Sequence, residues 1–276
     1  MLKAIKQARV AVSMLNPDEV RNRAERRLRV GLVASCAGYS GMEELLAPGE
    51  GVHRASDPDA PEKVDLVFYE SGLPRDLGSY TLDPGDTDGL VAEIMRDHEH
   101  FALPLARQFP VFRRCVVDRI VQAVARENAL FAIATALPNV VPNLIELPWA
   151  FGEFASDTAF LTANQVRMAF LIAGACGKEV GFAHQKGQVL SIVAGAFGWR
   201  AIARELAGKI PLGGGLIPKG AIAYAGTFAV GKSLEYYHHA NVHYTREESQ
   251  DVYRQGFERG RQVAESLAAG PAVNRP

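Results

Sequence analysis

The stretch Gly226 to Ser233 reads GTFAVGKS and matches the phosphate-cradling pattern G-x-x-x-x-G-K-S/T. In that chemistry Gly226 and Gly231 would free the loop backbone, Lys232 would reach the β and γ oxygens, and Ser233 would hold magnesium. Such a loop needs a strand before it, a helix after it, and backbone N–H groups free to cup phosphate. The preceding PKGAIAYA has no run of β-branched residues, and its Pro218 suits a helix start. Thr, Phe, Ala and Val between the glycines continue the same helical pattern. No apolar strand ending in Asp follows to bind magnesium. The reading favoured is one continuous helix over 217–240, whose N–H groups are consumed internally. Gly226, Gly231, Lys232 and Ser233 stay as the weaker phosphate-binding alternative, and no cofactor is expected.

Other residues invite chemistry and are weighed in the same way. Glu146, Glu153 and Asp157 fall at helical spacing and could offer oxygen ligands to a hard cation. A solvated stripe, or a set of capping partners around Pro138, Pro142 and Pro148, is the preferred reading. Glu235 and His238 have the E-x-x-H spacing of a di-iron bundle, but no second such motif accompanies them. Histidines at a helix C-terminus suit the helix dipole without any metal. No catalytic residue is assigned: G-x-S-x-G is missing, and Cys36, Cys115 and Cys176 lie far from any identifiable base. His184, in KEVGFAHQKG, reads as an exposed connector residue. The run RVGLVASCAGYSGMEELL, followed by VDLVFYESGLP, has the outline of a GTPase's opening. It lacks the lysine before the hydroxyl, and no Asn-Lys-x-Asp guanine reader occurs.

The elements around these residues separate into two kinds. RVGLVASC and VDLVFYE read as buried strands. Residues 48–63 are rich in Gly, Pro, Asp and Ser and read as loop, and SYTLDPGDTDG reads as turns before a helix. Beyond about residue 100 helical periodicity takes over, with helices expected over 111–136, 141–155, 162–176, 183–207, 217–240 and 246–267. PLGGGLIP is the sharpest break and predicts that 183–207 and 217–240 form an antiparallel apolar pair. The expected fold class is α+β, mostly α, with a small α/β N-terminal unit followed by an all-helical domain. The expected division is a basic amphipathic arm (1–29), the α/β unit (30–105), the helical domain (106–245) and a C-terminal helix and tail (246–276).

Composition narrows the setting. The 276 residues are 48% hydrophobic with a formal net charge of -1, which points neither to disorder nor to a general affinity for nucleic acid. Three widely spaced cysteines suit reduced thiols in a cytoplasmic compartment. Residues 1–29 carry eight basic side chains (Lys3, Lys6, Arg9, Arg21, Arg23, Arg26, Arg27 and Arg29) against Asp18, Glu19 and Glu25. With Met1, Ile5, Ala8, Val12 and Leu15 on one helical face, this arm could rest on an anionic membrane surface. The competing reading packs that face on the domain and pairs the arginines with acids. MLKAIKQARVAVSML scatters its cations through the apolar residues, unlike a cleaved signal. The longest uncharged stretch, 128–145, is interrupted by Pro138, Pro142 and three asparagines, a poor membrane span.

A resemblance follows from residues 130–240. Ala136–Leu137–Pro138, a polar Thr162-x-x-Gln165 turn before an apolar helix, an Ile210–Pro211-x-x-Gly214 hinge and a Thr227-x-x-x-Gly231 helix occur in that order. In this the chain resembles the helical domain of unknown function found in YcjF-type proteins and C-terminal to Era-like GTPase domains. The resemblance implies an all-helical module, associated with GTPases or the inner face of a membrane, and implies no reaction. The expected function is therefore a non-enzymatic scaffold or adaptor, cytoplasmic or peripheral on a membrane, with a GTPase or other protein as partner. A divergent nucleotide-binding protein is the alternative.

Overall fold

The computed structural model describes residue 12 and residues 15–58, 61, 63–135, 157–194 and 215–269. The fold is mostly helical with one small parallel sheet. The chain forms two compact units, one from 18–119 with 171–181, the other from 1–17, 120–170 and 182–276.

The first unit carries the sheet. β1 (Val30–Val33) and β3 (Leu66–Glu70) are the apolar runs foreseen from sequence, and they take the centre of a four-stranded, all-parallel sheet of order β2-β1-β3-β4. Val30 pairs with Leu66 and Leu32 with Phe68. Helix α1 (Pro17–Ala24) precedes β1, and α2 (Gly38–Leu46) crosses from β1 to β2 (Val52–Arg54). The expectation that 48–63 is loop is corrected by β2, and β4 (Tyr80–Leu82) lies inside the turn-rich segment. Both are three-residue edge strands, and β2 has no buried residue. Helix α3 (Thr87–His98) starts on Asp86, whose carboxylate accepts the Gly89 N–H. A 3-10 turn (Glu99–Phe101) and α4 (Ala102–Gln108) follow. Phe68, Phe109 and Phe112 meet edge to face in the core.

Helix α5 (Pro110–Ala134) and helix α6 (Asp157–Ala175) each contribute to both units. In the first unit α6 ends in a paired C-cap. Gly177 has φ +74, its N–H reaches Gly174 O, and the Lys178 N–H reaches Ala173 O. Arg21 Nε donates to Val180 O at 2.9 Å and Arg113 Nε to Ala175 O at 3.1 Å, which fastens this end. Arginines of the expected basic arm are engaged: Arg21 with Asp18, Arg26 with Asp65, Arg27 with Glu50. The helix that opens at Pro17 ends at Ala24, before the last basic residues of the arm.

The second unit is helical: 120–134 of α5, 157–170 of α6, the helical segment 186–194, α7 (Leu216–Ala240) and α8 (Arg246–Ala269). The Thr162-x-x-Gln165 stretch, a turn in the resemblance but the start of the helix expected over 162–176, lies inside α6. Asn241 takes a left-handed φ of 55 and ends α7, its N–H bonding Tyr237 O. A capping box opens α8: Thr245 N–H donates to Glu248 Oε2 at 2.8 Å, and Glu248 N–H to Thr245 Oγ1 at 3.2 Å. Helices α7 and α8 pack closely and in opposite directions, Gly256 against Ala225 and Phe228, Gly260 against Ala221 and Tyr224. Of the pair expected between 183–207 and 217–240, residues 195–214 lie outside the described residues, and Ala194 is exposed. Among the described residues no helix is long and apolar enough to cross a membrane.

Candidate functional site

All of GTFAVGKS lies within α7, which runs unbroken from Leu216 to Ala240. Its peptide N–H groups therefore bond carbonyls one turn back and are unavailable to phosphate. Lys232 Nζ meets Glu235 Oε2 at 2.8 Å on the same helix face. Gly231 is a packing position. A Cβ there would stand 2.6 Å from Val121 Cγ2 and 3.1 Å from Met168 Sδ, so the missing side chain lets α7 approach α5 and α6. Thr227 is buried inside the unit, and Gly226 is buried too.

The loop between β1 and α2 lies where the strand order changes direction, the place where parallel sheets commonly bind ligands. Here a protein carboxylate stands in it. Glu70, at the end of β3, accepts the Ser35 N–H through Oε2 at 2.8 Å. Those hydrogen bonds from the Ser35 backbone and hydroxyl hold the Glu70 carboxyl below its ordinary range, against a small opposing effect of burial. A Cβ at Gly38 would fall 2.3 Å from this carboxylate. Cys36 beside it is exposed. Arg54 forks onto Glu43 at 2.6 and 2.7 Å and lies over the Tyr39 ring.

Polar side chains that sequence reasoning left unassigned form a network inside the helical unit. Asn128 is fully buried and donates through Nδ2 to Thr227 Oγ1 at 2.7 Å. Its Oδ1 accepts from Asn164 Nδ2 at 2.9 Å, and Gln165 Nε2 reaches Thr227 Oγ1 at 3.3 Å. The Thr227 hydroxyl in turn donates to Ala223 O at 2.9 Å. Towards the surface Asn164 also touches Glu127 Oε2, and Arg167 bridges Asn164 Oδ1 and Glu127 Oε2 at 2.9 and 2.5 Å. Three helices are thereby joined by groups that satisfy one another. The signal in the sequence is an amide in an otherwise apolar run, as at Asn128 in NALFAIA.

A hollow of about 440 Å³ opens in the same unit, lined by residues of segment 186–194, α7 and the start of α8. Its floor is apolar and buried: Ile192, Ala229 and Leu234. Its rim is polar, with His184 and Ser191 exposed and Ser233 and Ser249 half-buried. Tyr237 stacks on His243 at 4.8 Å and Tyr236 on Tyr244 at 4.5 Å, two ring pairs that tie the 241–245 loop back to α7. Burial, then the nearby Glu235 charge, raises the Tyr244 hydroxyl pKa. Gln188 Nε2 faces His238 Nε2 at 3.4 Å, while Gln188 Oε1 is buried without a hydrogen-bond partner. The GTFAVGKS stretch thus contributes Ala229, Val230 and Ser233 to a hollow instead of a phosphate loop.

Of the residues weighed for metal, Glu146 and Glu153 lie outside the described residues, and Asp157 opens α6. Glu235 is held by Lys232 and His238 by Gln188. Among the described residues no group of three or more His, Cys, Asp and Glu is placed to hold a metal ion. Comparison with protein-family models, with curated proteins and with solved structures finds no match for this chain.

Proposed function

We propose that this chain is a non-enzymatic helical scaffold or adaptor. It is cytoplasmic or peripheral on an anionic membrane face through residues 1–29, and it engages a GTPase or another protein partner. The observation that carries the proposal is the continuity of α7 through GTFAVGKS, which spends on the helix the N–H groups that a nucleotide would need. Glu70 supports it by standing at the other place where a phosphate would enter.

Isothermal titration of the full chain with ATP and GTP in magnesium tests the reading against nucleotide binding. No heat of binding is expected from either the native protein or Lys232→Ala. Micromolar binding that Lys232→Ala abolishes would establish the nucleotide-binding alternative instead. Flotation with anionic and neutral vesicles tests the membrane part. Salt-sensitive flotation on anionic vesicles alone supports it, and no flotation removes the membrane from the proposal.

A further inference from the structure

We draw no further inference here: the strongest candidate, the open hollow between segment 186–194, α7 and the start of α8, has an uncharged described lining that names no ligand, and nothing in the structure shows what covers it.

Discussion

Asn128 Nδ2 lies 2.7 Å from Thr227 Oγ1, a hydrogen bond between side chains 99 residues apart in a helical interior. Both residues are fully covered, so neither can turn to water if the other is lost. Removing one partner leaves the other unsatisfied at about 1–3 kcal/mol. Asn128→Ala and Thr227→Val are each expected to lower stability by that order in urea denaturation, and the double mutant by less than the sum. A coupling energy of about 0.5 kcal/mol or more checks the contact, and strict additivity would contradict it.

Gly260 makes the tightest approach between α7 and α8. A Cβ there would lie 2.8 Å from Ala221 O, a backbone atom that cannot retreat as a side chain can. Gly260→Leu should cost about 1–3 kcal/mol through overpacking. Limited trypsin digestion should release the 246–269 segment sooner than in native protein. Gly41→Ala is the control, since no described atom lies within 4 Å of a Cβ there and the position is exposed in α2. Its digestion should be unchanged.

Glu70 predicts part of the acid limb of stability. Its carboxyl is held down in the folded chain by the Ser35 N–H and hydroxyl. The stability it gives is present above the unfolded-state value of about 4.3 and is lost as pH falls through the lower folded value. Glu70→Gln should therefore flatten the dependence of the melting temperature on pH below about 5, with the largest difference from native protein near neutrality. Parallel melting curves across that range would contradict it.

Tyr253 is buried against Ala225 and Ala229, and burial pushes its hydroxyl up to about 12. A raised folded value means that the neutral phenol stabilises the fold below the unfolded value of about 10, and that this is lost as pH rises towards the folded one. Other tyrosines such as Tyr244 are raised too, but Tyr253 furthest, so absorbance titration at high pH should show a last-ionising step that Tyr253→Phe removes. An unchanged titration in the variant would place the late group elsewhere.

The central strands were legible because Val30–Val33 and Leu66–Glu70 are apolar runs buried on both faces of the sheet. The edge strands were not, because three residues such as Val52–Arg54 carry no periodicity and stand among turn-forming residues. Helix α7 could be read from its own pattern, since nothing in PKGAIAYAGTFAVGKS asks for a strand. The helix at Thr162 and Gln165 was legible from periodicity but their burial was not, because Gln165 satisfies its amide on Thr227, 62 residues away. The hollow was illegible for a related reason. Gln188 and Ser249 line it together, but their common location follows from how the helices pack and from no motif.

The order in which a ribosome emits the chain gives the α7–α8 seam a further meaning. Ala221, Ala225 and Phe228 are nearly inaccessible in the finished fold and lie against Gly256 and Gly260, which belong to a helix made later. Until 246–269 has left the exit tunnel, that stripe of α7 has no cover from its own partner. The growing polypeptide must carry a sticky surface through that interval, open to chaperones and to neighbouring nascent chains.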